Sequence, residues 1–297
     1  MQLLQEAAAK NGPLCVGLDT DPSYLPESVK RTYTSPAQAV LAYNKEIIKR
    51  IQSENSACCC KVQIAYYEAM GLEGMKVYAQ TLRAVKEAGF VCISDLKRND
   101  IAASAEAYAR AHFTGDFETD IITVNPYMGF ETLTPFTNYC SSHGKGVFVL
   151  LRTSNPGMAD LEWQPLATGG HVLDKVGAEL NRLASSFAES FPAQGCSPVG
   201  AVVGCTEEAD AQAMREAYPD IFFLIPGYGA QGGAARIATT LLAKAGGTVN
   251  SSRGILCAWK KSERCRSKAE SDTLSMADIA DAAAEAALAA KRDLTEA

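Results

Sequence analysis

The chain contains 297 residues, of which 47% are hydrophobic and 21% charged, and its formal net charge is −6. This composition is typical of a globular protein and excludes a disordered or fibrous chain. The acidic balance argues against general nucleic-acid binding, although it does not exclude a local basic pocket. No run of about 18 apolar residues occurs, so no membrane span is expected. The N-terminal residues MQLLQEAAAK lack the apolar stretch of a secretory signal.

Cysteine and histidine usage gives no indication of a metal site. The ten cysteines form no Cys-x-x-Cys pair. Cys58, Cys59 and Cys60 are consecutive, and because successive strand side chains point to opposite faces, they cannot jointly bind one metal ion. The three histidines are not at ligand spacing. We therefore expect reduced, mostly buried cysteines in a cytoplasmic protein.

Short β-rich segments alternate with helix-like segments along the whole chain. Several of the β-rich segments are near-continuous apolar runs, which is typical of parallel strands covered on both faces. The predicted strands lie at 14–19, 58–63, 90–95, 120–125, 146–151, 198–204, 221–226 and 246–252. The predicted helices lie at 36–52, 74–89, 100–113, 130–143, 171–190, 206–217 and 232–245, with an Ala-rich helix at 276–294.

This alternation predicts an α/β fold built from parallel βα units. Eight strands are the number that closes a (β/α)8 TIM barrel. No Pro-, Gly- or Ser-rich linker divides the chain, so we predict a single domain over residues 1–297. An open, doubly wound sheet is the alternative, because a strand count does not prove closure.

Two predicted connections are unusually long. The first runs from Arg152 to about Gly170, and long loops in compact domains are often lids or binding loops. The second, WKKSERCRSKAESD at 259–272, carries a basic cluster. We interpret this cluster as a solvated charged face rather than a nucleic-acid site.

Charged residues stand at the ends of the first three predicted strands, where the reactive groups of a barrel cluster. Asp19 closes the first strand, and Lys61 lies near the end of the second. Asp95 closes the third strand and is followed by Lys97 and Asp100. Asp95 and Lys97 are at i and i+2, so in an extended segment both side chains point to the same face.

Each of these residues also has an ordinary structural interpretation. Asp100 could cap the following helix, Asp19 could belong to an Asp-x-Asp-Pro turn, and Lys61 could extend from its strand end to solvent. Charges of alternating sign at one barrel mouth are nevertheless costly to desolvate, and need either one another or a charged ligand. Their joint occurrence therefore favours a functional site.

A second group of residues fits an anion. PGYGAQGG at 226–233 follows the seventh predicted strand, and SSRG at 251–254 follows the eighth. Loops after these two strands form a recurring phosphate site in such barrels. Glycine permits close approach to a ligand, and Arg253 could bind a phosphate with two hydrogen bonds. The alternative is a glycine-rich turn beside a surface arginine.

Seven segments together carry a family resemblance. They are GLDTDP at the first strand, KVQIAYYEAMG at the second, SDLKRNDI at the third, TVNPYMG at 123–129, FVLLRTSNPG at 148–157, PGYGAQGG and SSRGI. This set, which runs in order from about residue 14 to 255, resembles the orotidine 5′-phosphate decarboxylase family, and LLRTSNPG indicates its longer-chain subgroup. The resemblance implies a homodimeric barrel that converts orotidine 5′-phosphate to UMP and CO₂ in pyrimidine biosynthesis, with neither metal nor organic cofactor.

The resemblance also implies roles for individual residues. Lys97 would stabilise and protonate a carbanion at C6 of the ring, and Asp100, with Ile101 beside it, would reach across the dimer into the partner's site. The implied catalytic set is Lys61, Asp95, Lys97 and Asp100, and the implied substrate-binding set is Asp19, Ile101, Ser104, Ser154, Pro226, Gln231, Gly232, Arg253 and Gly254. Ser104 stands where the family usually has Thr, and Gln63 where Asn is expected.

Two other functions are compatible with a barrel of this kind. One is a metal-dependent phosphosugar lyase on the same scaffold, which would need a divalent cation. The other is a catalytically silent barrel that binds a nucleotide phosphate. The alternating Lys and Asp residues argue against the silent barrel, because phosphate binding alone does not require them.

Overall fold

The computed structural model describes residues 1–188, 197–228 and 234–296. The strands within these residues are β1 Leu14–Gly17, β2 Cys59–Gln63, β3 Val91–Arg98, β4 Ile121–Val124, β5 Gly146–Arg152, β6 Val199–Val203, β7 Phe223–Ile225 and β8 Gly247–Ser251. The α-helices are α1 Gln2–Asn11, α2 Glu27–Lys30, α3 Pro36–Ser53, α4 Ile64–Glu68, α5 Gly71–Glu87, α6 Ala102–Phe113, α7 Thr134–His143, α8 Met158–Leu161, α9 Val172–Ser186, α10 Glu208–Ala217, α11 Ala234–Leu242, α12 Arg253–Leu256, α13 Glu263–Glu270 and α14 Met276–Glu296.

The eight described strands form a closed barrel in the order β1 to β8. The first three strands pair in parallel, with Gly17 opposite Lys61 and Gln63 opposite Asp95. The predicted (β/α)8 fold is confirmed, and the open-sheet alternative is wrong. The observed strand bounds differ from the predicted ones by at most three residues, most of all at β3, which continues through Arg98.

The chain divides into two compact units. We call Ala7–Asp95 with Asn250–Glu296 the Lys61 unit, and Met1–Glu6 with Leu96–Val249 the Lys97 unit. The division falls inside strands β3 and β8 rather than in a linker. The single-domain interpretation stays a prediction.

Helix α3 organises the core of the Lys61 unit. Ser35 caps it by accepting a hydrogen bond from the Gln38 amide, and Pro36 supplies a first helical residue with a preset φ. Its buried residues Val40, Tyr43, Ile47, Ile48 and Ile51 recur at helical spacing. This face packs against α5 and against α14, whose buried side is mostly alanine.

A buried arginine ties together the C-terminal part of the Lys97 unit. The Arg215 guanidinium donates to the carbonyls of Tyr218, Ile221, Leu241 and Gly246, and its Cζ lies 3.7 Å from the centre of the Phe223 ring. Burial lowers the pKa of Arg215 to about 10, so the side chain is still charged at neutral pH. One side chain thus supplies donors for carbonyls that follow α10, for one in the last turn of α11 and for one that follows α11.

The two long connections contain structure of their own. The first includes α8 and a bridge between Pro165 and His171, with the His171 ring stacked on Trp163 at 4.2 Å. In the second, Arg264 and Lys268 of α13 form ion pairs with carboxylates of α14. These intramolecular pairs agree with a solvated charged face. None of the described helices combines the length and apolar character needed to cross a membrane.

Histidine 112 is an ionisable group packed inside the Lys97 unit. It lies on the buried face of α6, and its ring is stacked on Phe117 with a centroid distance of 5.9 Å. Among the described residues, no group forms a hydrogen bond with its Nδ1 atom. Burial, with a smaller contribution from the charge of Arg98, lowers the pKa of His112 to about 4.

This histidine should make the protein sensitive to mild acid. Because the pKa of His112 is about 4 when folded and roughly 6.5 when unfolded, the unfolded state binds a proton first as the pH falls. Wild-type protein should lose roughly 2–3 kcal/mol of unfolding free energy between pH 6.5 and 4 through this residue. Urea denaturation at several pH values should show a shallower acid slope for His112→Phe.

The exposed His143 provides the matched control. His143→Phe should keep the wild-type acid slope. If His112→Phe kept that slope as well, the acid loss would come from other groups and the expectation would be wrong.

Candidate active site

An ion cluster is buried at the carboxyl ends of the first three strands. Lys61 Nζ lies 3.0 Å from Asp19 Oδ1 and 3.1 Å from Asp95 Oδ2. The Lys61 side chain is only 5% exposed. All three residues belong to the Lys61 unit, and the parallel register places their strand ends side by side. The structure therefore brings together three of the predicted site residues.

The two carboxylates keep Lys61 charged. Burial alone would lower the pKa of Lys61, but the nearby charges of Asp19 and Asp95 outweigh it and raise that pKa above its ordinary value. The interpretation of Lys61 as a strand-end residue that extends to solvent is wrong, because its ammonium is enclosed. A buried ammonium that stays protonated provides a fixed positive charge.

The second carboxylate oxygen of Asp19 also accepts a hydrogen bond. Ser252 Oγ donates to Asp19 Oδ2 at 2.7 Å, and Asn250 Nδ2 donates to Ser252 Oγ at 3.0 Å. Neither Ser252, which lies in the SSRG segment, nor Asn250 was given a role from the sequence. Ser252 could have been noticed because it stands beside the arginine of the predicted phosphate segment. No pattern in the sequence indicated Asn250.

The glycine at position 17 leaves the space that this network occupies. A Cβ atom at Gly17 would lie 2.0 Å from Ser252 Oγ and 2.8 Å from Asn250 Oδ1. Both distances are far below van der Waals contact. The glycine of the GLD segment therefore permits β1 to pack closely against the end of β8 and the residue that follows it.

The turn after β1 uses a different aspartate from the one that enters the cluster. Asp21 accepts a hydrogen bond from the Ser23 amide at 2.8 Å and caps the short 3-10 helix Pro22–Tyr24. Asp19 is therefore not the capping residue, and its two oxygens serve Lys61 and Ser252.

The main chain at Lys97 is held by a threonine of the next strand. The amides of Leu96 and Lys97 both donate to Thr123 Oγ1, each at 2.9 Å. Lys97 has φ 49°, so it is not extended, and the i, i+2 argument does not decide where its exposed side chain points. Thr123, which is buried in β4, was not predicted from the sequence.

Asp100 does not cap helix α6. The helix begins at Ala102, two residues later than predicted, and its N-cap residue is Ile101, which makes no side-chain cap hydrogen bond. Asp100 Oδ1 instead accepts a hydrogen bond from the Ile101 amide at 2.8 Å. The helix-cap interpretation of Asp100 is wrong. Ser104 is exposed in the first turn of α6.

Ser154 and Pro226 lie on either side of one glycine. A Cβ atom at Gly204, just after β6, would lie 2.9 Å from Ser154 Cβ and 3.0 Å from Pro226 Cγ. The Gly204 carbonyl accepts a hydrogen bond from the buried Arg152, which also pairs with Asp210 at 2.9 Å. Gly204 and Arg152 thus position two predicted binding residues, and neither was given a role from the sequence.

The remaining predicted residues belong to the proposed anion site. Arg253 begins the short helix α12 directly after Ser252, and both Arg253 and Gly254 are exposed. Gln231 and Gly232 lie outside the described residues. Within residues 1–188, 197–228 and 234–296, no group of three His, Cys, Asp or Glu side chains is placed to hold a metal ion.

Comparison with known proteins finds relatives whose sequences are similar over most of the chain. The sequence profile of the Orotidine 5′-phosphate decarboxylase / HUMPS family matches residues 12–267. The orotidine 5′-phosphate decarboxylase of Clostridium botulinum (strain Langeland) is 48% identical over 87% of this chain and 89% of the relative. That of Clostridium perfringens (strain SM101) is 46% identical over 93% and 96%. The Leishmania donovani OMP decarboxylase structure has TM-score 0.67 and 29% identity, covering 91% and 95%.

The ion cluster should contribute measurably to stability. Lys61→Met should lower the free energy of unfolding at pH 7 by about 3 kcal/mol, because it leaves two buried carboxylates without their ammonium. With Asp19→Asn and the double variant, a double-mutant cycle should give a coupling free energy of about 1–3 kcal/mol between Lys61 and Asp19. Urea denaturation followed by circular dichroism provides the measurement.

The Glu27–Lys30 pair is the control for this cycle, since the Glu27 side chain is 69% exposed. Its coupling should stay below about 0.5 kcal/mol. A Lys61–Asp19 coupling as small as that of Glu27–Lys30 would contradict the expectation.

Proposed function

We propose that this chain, which belongs to the orotidine 5′-phosphate decarboxylase / HUMPS family, converts orotidine 5′-phosphate to UMP and CO₂. It is a carboxy-lyase of pyrimidine biosynthesis. The observation that carries the proposal is the buried Lys61 held between Asp19 and Asp95, with Lys97 and Asp100 following in the same Asp-x-Lys-x-x-Asp segment. The relatives named above support the same reaction.

The reaction leaves a carbanion that needs electrostatic stabilisation. The bond between C6 of the pyrimidine and its carboxylate breaks, CO₂ leaves, and the electron pair stays at C6. The ring offers no ordinary electron sink for this pair. The Lys97 ammonium stabilises the developing negative charge and then donates a proton to C6, and solvent returns the proton to Lys97.

The fixed charges of the cluster prepare the site before substrate binds. Lys61 stays protonated, because Asp19 and Asp95 raise its pKa. Such preorganised charges need no reorientation during the reaction, which is the main advantage of an ionic site over water. Asp95 faces the substrate carboxylate, and we assign the larger catalytic contribution to Lys97 rather than to repulsion from Asp95.

The nucleotide is bound along its length by residues of several loops. Asp19 and Lys61 bind the ribose hydroxyls, and the Ser104 hydroxyl contributes to the same part of the substrate. Ser154 binds the pyrimidine. The support for Ser154 is its position against Gly204, opposite Pro226, where the absence of a side chain permits close approach.

The phosphate is bound by the segments that follow β7 and β8. Arg253 supplies the charge and Gly254 the adjacent backbone, together with Pro226, Gln231 and Gly232 of the glycine-rich segment. Binding energy from this remote group orients the ring for reaction.

The active form is a homodimer. The Lys97 unit exposes large apolar side chains at the start of α6 and in the segment after β4, with the N-cap residue Ile101 55% and Tyr127 74% exposed. Tyr108 of α6 and Met128 are exposed as well. An apolar surface of this kind fits a second copy of the chain. Asp100 is adjacent to Ile101, and it serves the partner's site.

The proposed reaction sets the other requirements of the protein. An ammonium and preorganised carboxylates supply the chemistry, so neither a metal ion nor an organic cofactor is needed. The partners are orotidine 5′-phosphate and a second copy, and they include neither nucleic acid nor membrane. We assign the enzyme to the cytoplasm, in agreement with the nine described cysteines, which are all free thiols.

The direct test is the decarboxylase assay. The purified protein should decrease the ultraviolet absorbance of orotidine 5′-phosphate and release UMP and CO₂, and excess EDTA should leave the rate unchanged. A metal-dependent phosphosugar lyase would lose activity in EDTA, and a silent phosphate-binding barrel would cause no absorbance change. Either result would overturn the proposal.

Removing the Lys97 ammonium should abolish turnover without unfolding the protein. We expect Lys97→Ala to lower kcat by about 10³-fold or more, while the exposed position leaves the free energy of unfolding near the wild-type value. Lys175→Ala, an exposed lysine of α9, is the matched control and should keep full activity. Wild-type kcat in Lys97→Ala would exclude proton delivery by this residue.

The shared site can be tested by subunit mixing. Lys97→Ala and Asp100→Asn are each expected to be inactive, but a hybrid dimer regains both groups in one of its two sites. Random exchange at equal amounts should therefore restore about a quarter of wild-type activity. Subunit exchange is followed independently with differently tagged chains. Exchange without recovered activity would show that Asp100 does not act across the interface.

A further inference from the structure

A buried hydrogen-bond network surrounds the main chain at Asp19 in the Lys61 unit. Asn44 of α3 is its centre and is completely buried. Asn44 Oδ1 accepts from Thr20 Oγ1 at 2.7 Å, and Asn44 Nδ2 donates to Tyr67 OH at 2.8 Å and to Thr81 Oγ1 at 3.3 Å. Both the oxygen and the nitrogen of the amide group therefore have partners.

The network reaches the chain on both sides of Asp19. Tyr67 OH donates to the Leu18 carbonyl at 2.9 Å, immediately before Asp19, and the Thr20 side chain is held immediately after it. The Leu18 amide also donates to the Lys61 carbonyl at 2.7 Å. The residues flanking Asp19 are thus fixed to α3, α4 and β2, while the Asp19 carboxylate itself binds Lys61 and Ser252.

We propose that Asn44 is a positioning residue, which holds the Leu18–Thr20 main chain through Tyr67 and Thr20 and thereby sets the Asp19 carboxylate against Lys61. The proposal rests on the proposed function for its catalytic consequence, since Asp19 and Lys61 are the residues assigned to the ribose. Its structural content, the placement of Asp19 relative to Lys61, does not depend on the substrate.

The cost of this arrangement points to a positioning role. Asparagine is a poor helix former, and position 44 lies on the otherwise apolar buried face of α3. An unpaired amide or hydroxyl in this interior would be strongly destabilising, so the network holds only when all its members are paired. A fully paired buried network is rigid, which suits a carboxylate that must meet an ammonium within hydrogen-bond distance.

The test separates the two branches of the network. Thr20→Val and Tyr67→Phe each remove one connection to the Asp19 segment with little change in shape. Thr81→Val removes the hydrogen bonds that Thr81 makes with Asn44 and with the Tyr67 hydroxyl. It leaves the Thr20–Asn44 and Tyr67–Leu18 hydrogen bonds in place, so it is the matched control. Thr20→Ser keeps the hydroxyl and should restore wild-type behaviour. Asn44→Ala is avoided because it could prevent folding.

The first measurement repeats the Lys61–Asp19 double-mutant cycle in the Thr20→Val and Thr81→Val backgrounds. The coupling between Lys61 and Asp19 should fall to less than half of its wild-type value in Thr20→Val, and should stay at that value in Thr81→Val. A merely structural role for Thr20 would lower stability without changing this coupling. An unchanged coupling in Thr20→Val would overturn the inference.

The second measurement is kcat/KM for orotidine 5′-phosphate on the folded variants. Thr20→Val and Tyr67→Phe should lose about tenfold, as expected for a displaced binding group, and Thr81→Val and Thr20→Ser should stay within about twofold of the wild type. Equal losses in Thr20→Val and Thr81→Val would also overturn the inference. If the wild-type protein itself did not turn over this substrate, the proposed function would fail, and the coupling measurement alone would decide the positioning role.

Discussion

The site depends on one buried ammonium between two carboxylates. Lys61 can be enclosed only because Asp19, which follows β1, and Asp95 of β3 stand at hydrogen-bond distance. The two carboxylates can be enclosed only because Lys61 stays charged. The parallel register of β1, β2 and β3 is what brings these strand ends together. Around the trio, Ser252 fixes the second oxygen of Asp19, and the space that Ser252 needs is left by Gly17.

The fold and the charged trio could be predicted from the sequence because both follow from local patterns. Apolar runs of strand length, separated by amphipathic segments, indicate parallel βα units, and parallel strands in a barrel deliver their carboxyl ends to one side. The order of residues alone therefore makes a charged residue directly after such a run a site candidate. Asp19, Lys61 and Asp95 were found in this way, and the family suggested by the seven segments is confirmed by the profile match.

The positioning residues could not be predicted, because their roles depend on backbone angles and on contacts distant in sequence. Thr123 of β4 accepts a hydrogen bond from the Lys97 amide of the adjacent strand. Asn44 is connected to the Asp19 segment only through hydrogen bonds with Thr20 and Tyr67. The shared direction assumed for Asp95 and Lys97 required extended backbone, whereas Lys97 has φ 49°. The structural alternative for Asp100, a helix cap, was wrong because the helix starts after Ile101.

The contact between Gly17 and Ser252 constrains how this sequence can change over evolutionary time. A methyl group at position 17 would overlap the serine hydroxyl, so alanine there requires that the Ser252 side chain turns away or that residue 252 is replaced. Either change would remove a hydrogen bond from Asp19. The two positions, which lie towards opposite ends of the chain, are therefore coupled, because a substitution at the first is accompanied by the loss of a contact made by the second.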